Sequence, residues 1–451
     1  MEKKILVLGA GMVARPLVKY LLDRGYRLTV TSPFRVRAAA MVGDHPRGTA
    51  VRWSTDDAAA LGRLVADHDL VVSMLPYMYH PMVARACLVH RRSLVTTSYV
   101  SREMAAMDEE ARRAGVLFLN ETGLDPGIDH MSAMQVIDRV RAGGGRITAF
   151  YSLTGALPAP EAADNPFRYK FTWSPKGVLM AGNNDAHYLL EGREVHIPAA
   201  TLFRERYPIP FPGVGDLEAY PNRNSIEYID IYGLEKVRTL FRGTLRYPGW
   251  CHNMDLMKRA RLLSDEPFDL QGRSYAGMVR MLLDTPAGEP VRPAAARTLG
   301  IPEEDPFLDA IEWLGLFSEE PVGRIKDSPF EVTSDLMIEK MMLGEQERDM
   351  IAMQHSFLAE YPDGRKEVIH ARMVDYGTPA TDTAVARTVA LPAAIAAELI
   401  VEGRIGITGV MRPVNKEIYA PVLARLAETG ITVTEEKVPD EEELHVLESR
   451  A

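Results

Sequence analysis

Ile5-Leu6-Val7-Leu8-Gly9-Ala10-Gly11-Met12-Val13-Ala14 decides how the rest of the chain reads. Four apolar residues in a row suit a strand covered on both faces, as in a parallel sheet. Gly-x-Gly-x-x-Ala follows at once. Val13 to Arg24 then has helical spacing through Leu17, Tyr20 and Leu21, and Gly25 stands where a C-cap belongs. Gly9 permits a tight turn, Gly11 lets the backbone approach a pyrophosphate, and Ala14 is small enough for helix to meet strand. The phosphate charge would rest at the helix N-terminus. A glycine triplet alone is weak, but here it has the preceding strand and following helix that dinucleotide binding requires.

Working outward, strands and helices alternate. Leu28 to Val30, Leu70 to Leu75, Ser93 to Thr97 and Val116 to Leu119 read as strands; Ala58 to Val65, Met82 to Leu88 and Ser101 to Ala114 read as helices, the last capped by Ser101. The pattern predicts an α/β protein whose residues 1–125 form a Rossmann-type doubly wound sheet, completed by elements within 385–451. After Asn120 the rhythm changes. Asp129 to Arg141 is helical, Ile147 to Leu153 alternates like a strand with one exposed face, and 156–225 is rich in Pro, Gly and Asn. A second α/β domain with a mixed sheet is expected over 126–250 and 346–384, with Lys366 to Val374 as one of its strands. Between its two parts, 251–345 reads as a helical insertion. Thr383 to Glu402 is an Ala-rich helix in which Pro392 predicts a kink or a break. A helix from Glu417 to Thr429, a strand over Ile431-Thr432-Val433 and an acidic tail follow.

Composition narrows the partners. The chain has 451 residues, 46% hydrophobic and 25% charged, as for an ordinary globular protein. A formal net charge of −10 argues against nucleic acid. Cys87 and Cys251 are the two cysteines, too few for a disulfide framework and without zinc spacing, so a reducing, cytoplasmic setting is expected. The apolar run at the N-terminus is too short for a signal peptide. No stretch reads as the ~18 apolar residues that span a bilayer, so no membrane association is expected. His187, His252 and His355 lack ligand spacing, and no metal is expected.

The cofactor is read from the second strand. NAD-binding chains place Asp or Glu there to hold the ribose hydroxyls. Here the stretch is Thr31-Ser32-Pro33-Phe34-Arg35-Val36-Arg37, without an acid. Hydroxyls of Thr31 and Ser32 with the guanidinium of Arg35 suit a 2′-phosphate, which favours NADP(H); a solvated helix face is the plainer reading of Arg35 and Arg37. Gly9, Gly11, Met12 and Val13 would hold the pyrophosphate. Leu75, Pro76, Thr97 and Ser98 lie at strand ends, where doubly wound sheets bind their ligands. The turn Gly123-Leu124-Asp125-Pro126-Gly127 follows the last strand of this domain, so Leu124, Asp125 and Gly127 join the cofactor candidates. Asp129 can cap the next helix, which leaves Asp125 as the functional acid, unless it serves only the turn. Lys170, between Tyr169 and Phe171, is a further acid–base candidate if burial lowers its pKa; a salt-bridged structural lysine fits equally. His130 suits a proton carrier or a helix-start histidine bonded to backbone.

Several segments together resemble the NADP-dependent, glutamate-forming saccharopine dehydrogenases, also called saccharopine reductases. Beside the Gly-Leu-Asp-Pro-Gly turn they are Thr96-Thr97-Ser98-Tyr99-Val100-Ser101, Leu157-Pro158-Ala159-Pro160, Asn165 through Gly177, Tyr220-Pro221-Asn222-Arg223-Asn224-Ser225, Arg242-Gly243-Thr244-Leu245-Arg246-Tyr247-Pro248-Gly249, Arg348-Asp349-Met350 with Gln354-His355, and Ala390 through Ala394. The resemblance runs over nearly the whole chain. It implies condensation of L-glutamate with L-2-aminoadipate 6-semialdehyde to an imine and its NADPH-dependent reduction to L-saccharopine. It further implies a homodimer built through the second domain. Saccharopine carries three carboxylates, which call for Arg forks and at least one acid. Arg223 and Arg246 are assigned to carboxylates, with Thr244 and Leu245 beside them; structural ion pairs are the alternative for both arginines. Asp125 is assigned to an ammonium group, and Tyr99 and Ser98 to both ligand and nicotinamide. Asp125, Tyr99 and Lys170 are the catalytic candidates, although no residue stands out as general base. Some relatives carry Cys where this chain has Thr154, so a role needing a thiol is in doubt here. Carboxynorspermidine synthases share the phosphate loop and the Asp125 turn, and a silent NADP-binding regulator is a third reading. The sequence starts at the phosphate loop, so no fused lysine–ketoglutarate reductase domain is expected.

Overall fold

A computed structural model describes residues 2–286, 288–323 and 326–438. The acidic tail, and with it the end of the expected 385–451 completion, lies outside the described residues. The chain divides into two compact units: 1–147 with 230–234 and 359–437, and 148–229 with 235–358 and the described end at Val438.

In the first unit the opening run forms β1 (Lys4–Leu8), and Ile5, Leu6, Val7 and Leu8 are all 0% exposed. Burying each such side chain contributes roughly 1.5–3 kcal/mol. β2 (Arg27–Ser32), β3 (Gly48–Arg52), β4 (Leu70–Ser73), β5 (Ser93–Thr96) and β6 (Leu117–Leu119) follow. The helix after β1 is Arg15–Asp23, two residues shorter at its start than its apolar spacing suggests, because Gly11 to Ala14 form a turn closed by Ala14 N–H on the Gly11 carbonyl at 3.2 Å. Its far end is as read. Gly25 has φ +90°, Gly25 N–H donates to Leu22 O at 2.9 Å, and Tyr26 N–H donates to Leu21 O at 3.1 Å. These paired bonds satisfy the last carbonyls and turn the chain into β2. Ser101 caps as expected, accepting from Met104 N–H at 3.1 Å, but the helix behind it is two pieces, Arg102–Ala105 and Asp108–Ala114.

The second unit opens with β7 (Arg146–Pro158) and continues through β8 (Ala186–Leu190), β9 (Arg193–Ile197), β10 (Tyr207–Phe211), β11 (Gly215–Pro221), β12 (Thr239–Arg246) and β13 (Asp349–Glu360). β14 (Lys366–Tyr376), β15 (Gly409–Met411) and β16 (Thr434–Val438), almost wholly within 359–437 of the first unit, complete the described strands. The expectation of one exposed face for the first of these fails. Apart from exposed Arg146 and half-buried Ala156, every residue of β7 is buried, so its sheet is covered on both faces. The mixed sheet runs β10-β11-β12-β7-β13-β14-β16, with β8 and β9 beside β12. β12 pairs in parallel with β7 and antiparallel with β11. The helical stretch holds Trp250–Arg259, Tyr275–Leu282, Val291–Leu299, Pro306–Leu314 and Pro329–Met341, the last three of these with Pro at or just before the first helical turn.

The first sheet runs β3-β2-β1-β4-β5-β6-β15 with parallel pairing throughout. The order reverses between β1 and β4. That is where a doubly wound sheet opens a crevice beyond its carboxyl ends. The sequence pattern did not register β15, which extends the edge of β6. Ala384–Val401 packs against Arg15–Asp23 and runs unbroken through Pro392, because burial on nearly all sides outweighs one missing backbone bond. This helix also corrects the bilayer reading: its 18 residues are long and apolar enough to cross a membrane, yet 78% of that window is buried inside the protein. The last strand among the described residues starts at Thr434, three residues later than read.

Candidate active site

The phosphate loop follows β1 as the glycine spacing requires. Gly9 has φ +106°, and a Cβ there would lie 3.0 Å from the Met74 carbonyl oxygen. Its N–H donates to the Thr31 carbonyl at 3.2 Å, which ties the loop to the end of β2. A Cβ on exposed Gly11 would meet nothing within 4 Å, so this side of the loop is open to a ligand. Met12 and Val13 complete the loop, Met12 largely exposed. The helix behind it has no side-chain cap and no acid in its first turn, leaving its N–H groups for an anion. At the end of β2, Thr31 is fully buried and its Oγ1 lacks a protein partner among the described residues. Ser32 Oγ accepts from Phe34 N–H at 3.2 Å, and Arg35 Nε reaches the Ala50 carbonyl at 3.3 Å. Hydroxyl, guanidinium and absent acid stand together, as a 2′-phosphate requires.

Beyond β4 and β5 lies a cluster the sequence did not disclose. His80 is buried, with Nδ1 at 3.0 Å from Ser73 Oγ and Nε2 at 2.8 Å from Thr96 Oγ1 and 2.9 Å from Ser98 Oγ. Burial holds its pKa down at about 4, so the imidazole is neutral and orients the Ser98 hydroxyl. Leu75 and Pro76 follow β4, and Thr97 packs against Gly123, whose Cβ would sit 3.3 Å from Thr97 Cβ.

The turn after β6 is the most constrained part of the unit. Gly127 has φ +149°, and a Cβ would overlap the Gly123 carbonyl oxygen at 2.0 Å, so only glycine fits. The Asp125–Pro126 bond is cis. Asp129 Oδ1 accepts from Gly127 N–H at 2.5 Å and is buried, in keeping with a turn-holding role. Leu124 is buried, while Asp125 is half-buried and accepts from the Tyr99 hydroxyl at 3.1 Å. Glu121 is buried beneath them and meets His130 Nε2 at 2.8 Å; His130 Nδ1 meets the Tyr232 hydroxyl at 2.7 Å. Both ring nitrogens of His130 thus meet side chains. Burial alone would raise the Glu121 carboxyl, but His130 and Arg412 hold it below the usual carboxylate range.

In the second unit Arg246 is 4% exposed, and no carboxylate lies within ion-pair distance of it among the described residues. Its guanidinium lies 4.9 Å from the Tyr169 ring centroid and 5.6 Å from that of Trp250, and one nitrogen donates to its own neighbour, the Leu245 carbonyl, at 2.8 Å. Nε has no partner among the described residues. Glu218 stands opposite in the strand register but accepts from Cys251 N–H at 2.7 Å. Thr244 pairs in register with Thr154, whose buried hydroxyl also lacks a protein partner among the described residues. Arg223 follows β11 in left-handed backbone, φ +52°, with an exposed side chain, and its carbonyl accepts from His187 N–H at 2.9 Å.

Comparison with known proteins then decides the family. A saccharopine dehydrogenase NADP binding domain matches residues 5–119, and a saccharopine dehydrogenase C-terminal domain matches 123–431. The chain belongs to the saccharopine dehydrogenase family. It is 35% identical over 449 residues to the saccharopine dehydrogenase [NADP(+), L-glutamate-forming] of Schizosaccharomyces pombe, covering 97% of this chain and 99% of that one. It is 36% identical over 444 residues to the mitochondrial alpha-aminoadipic semialdehyde synthase of Bos taurus, covering 96% of this chain and 48% of that protein. The chain thus spans about half the length of the semialdehyde synthases it matches. The solved apo saccharopine dehydrogenase (L-Glu forming) from Saccharomyces cerevisiae superposes with a TM-score of 0.90 at 31% identity, over 97% of this chain and 100% of that one.

Within this family fold the residues at the end of β2 fit NADP(H): the Thr31 hydroxyl lacks a protein partner, and no ion pair holds Arg35 among the described residues. One catalytic candidate is corrected. Burial would lower the Lys170 pKa, but Asp164 at 2.8 Å and a short contact to Glu347 outweigh it and push the pKa up. Lys170 stays protonated in a structural ion pair and is not poised to take a proton. Glu121, His80 and Tyr232 were missed, because each acts through partners distant in sequence. The one local signal was a carboxylate four residues ahead of Asp125.

Proposed function

We propose that the chain is an NADP-dependent, L-glutamate-forming saccharopine dehydrogenase, acting on L-glutamate, L-2-aminoadipate 6-semialdehyde and L-saccharopine. The glutamate amine adds to the aldehyde carbon, water leaves, and the resulting carbon–nitrogen double bond is reduced to the secondary amine of saccharopine; the reverse oxidises it. NADPH, when bound, supplies the hydride. Gly9, Gly11, Met12 and Val13 cradle its pyrophosphate, Thr31, Ser32 and Arg35 its 2′-phosphate, and Ser98 and Thr97 the nicotinamide side.

The observation that carries the reading is the buried Arg246 guanidinium with no carboxylate at ion-pair distance among the described residues. A buried cation without a counter-ion is costly, and a substrate carboxylate removes that cost through a charge-assisted bond. Arg223, exposed after β11, is proposed as a second guanidinium fork for a substrate carboxylate. Asp125 accepts an ammonium group, and Tyr99 aligns it. With Lys170 held protonated, the residues act by binding and orientation, leaving proton exchange to the substrate amines and carboxylates.

A homodimer and a cytoplasmic setting belong to the same reading; free, buried Cys87 and Cys251 suit a reducing compartment. The decisive assay is NADPH oxidation with glutamate and semialdehyde supplied separately and together. Turnover is expected only with both. Tight NADPH binding without turnover would sink the proposal.

A further inference from the structure

Glu121 meets the segment holding Tyr99 from both sides. Its backbone N–H donates to the Ser98 carbonyl at 3.1 Å, and its Oε1 accepts from Val100 N–H at 2.9 Å. Tyr99, bracketed between them, donates its hydroxyl to Asp125 Oδ1 at 3.1 Å, four residues beyond Glu121. The three residues therefore close a ring from the end of β5 to the turn after β6. The rest of the Glu121 carboxylate is committed too. Oε1 also accepts from Arg412 Nε at 2.8 Å, and Oε2 accepts from His130 Nε2 at 2.8 Å. A carboxylate only accepts, so His130 carries its hydrogen on Nε2 and turns Nδ1 to the Tyr232 hydroxyl. Glu121 holds this place with a left-handed backbone, φ +57°, which a non-glycine residue adopts only where its surroundings impose it. Its backbone thus holds one flank of Tyr99 and its carboxylate the other.

We propose that Glu121 is the positioning residue that sets Tyr99, and through Tyr99 sets Asp125, for the substrate; the proposal rests on the function given above. Arg412 and His130 anchor Glu121 on its far side, so the carboxylate is fixed before substrate arrives.

Glu121→Gln keeps an oxygen for Val100 and Arg412, whereas Glu121→Leu keeps bulk and removes the acceptor. In Glu121→Leu, kcat/KM for saccharopine falls about tenfold or more, while the Kd for NADPH stays within about twofold. Glu121→Gln recovers kcat/KM to within about threefold of the parent. Adding Tyr99→Phe to Glu121→Leu deepens the loss no further, because both act through one contact. Losses that multiply, or NADPH binding that falls in step, overturn the proposal. Should Glu121→Leu fail to fold, Glu121→Asp withdraws the carboxylate by one methylene and is measured the same way. A readout independent of turnover is the Tyr99 signal in protein labelled with carbon-13 at tyrosine Cζ, assigned by its loss in Tyr99→Phe. It moves in the Glu121 variants as it does in Asp125→Asn; an unmoved signal overturns the proposal. A parent chain without saccharopine turnover refutes the proposed activity and leaves that signal to decide on Glu121.

Discussion

The Tyr99 hydroxyl donates to Asp125 Oδ1 at 3.1 Å, which fixes a half-buried carboxylate at the mouth of the nucleotide sheet. Asp125→Asn keeps the shape and removes the charge. A hydrogen bond to a charged group contributes roughly 1.5–3 kcal/mol, so kcat/KM for saccharopine is expected to fall about tenfold or more, with NADPH affinity retained. Steady-state kinetics beside a cofactor titration separates the two, and an unchanged kcat/KM would remove Asp125 from the substrate site.

Arg246→Met keeps an apolar chain in the strand and takes away the fork, together with its cation–π contacts to Tyr169 and Trp250. The apparent KM for saccharopine should rise by about tenfold or more, and Arg246→Lys should restore little, because an ammonium cannot bond a carboxylate bidentately. Arg223→Met should raise the same KM. In both variants the Kd for NADPH is the control. If Arg246→Met binds saccharopine as the parent does, the carboxylate assignment is wrong.

Arg35→Ser tests the cofactor. Loss of one charge-assisted bond to a 2′-phosphate should weaken NADPH about tenfold and leave NADH nearly unchanged. Equal losses for both cofactors would show that Arg35 does not discriminate between them.

The pH dependence of folding reports on His80. Its pKa lies at about 4 in the folded chain against an ordinary value of 6.5. Between these values the unfolded chain binds the extra proton, so stability is intact above 6.5 and is lost as the pH falls toward 4. Melting temperatures measured from neutrality down to about pH 4 should fall less steeply in His80→Asn than in the parent. Identical acid limbs would show that His80 is not the titrating group.

Local signals carried the nucleotide unit: a four-residue apolar run, glycines at fixed offsets and a Ser cap are each written within a few positions. What escaped depended on distance. Val410 N–H donates to Asp108 Oδ1 at 2.8 Å, so the strand it belongs to and the break before Asp108 are one long-range event that no window contains. β13 is buried along nearly its whole length yet mixes Gln354, His355 and Ser356 with apolar residues, which hides it from a search for apolar runs or clean alternation. The family motifs brought Arg246, Tyr99 and Asp125 forward. Glu121 stayed hidden because its side-chain partners Val100, His130 and Arg412 lie 21, 9 and 291 residues away. Lys170 misled because flanking aromatics signal burial and say nothing of Asp164 and Glu347.

The placement of β15 and of Ala384–Val401 sets a timetable for synthesis. Until Gly409–Met411 emerges from the ribosome, β6 presents an open strand edge, and the apolar face of Arg15–Asp23 lacks its cover. At roughly 5–20 residues per second the growing chain spends on the order of tens of seconds in that state. Exposed edges and apolar faces invite wrong pairing, so this is the interval in which a chaperone would be most needed. Nascent chains stalled short of Ala384 should be cut by protease within 1–125, and chains carried past Met411 should be protected there; equal cleavage of both would show that the first sheet closes without its late strand.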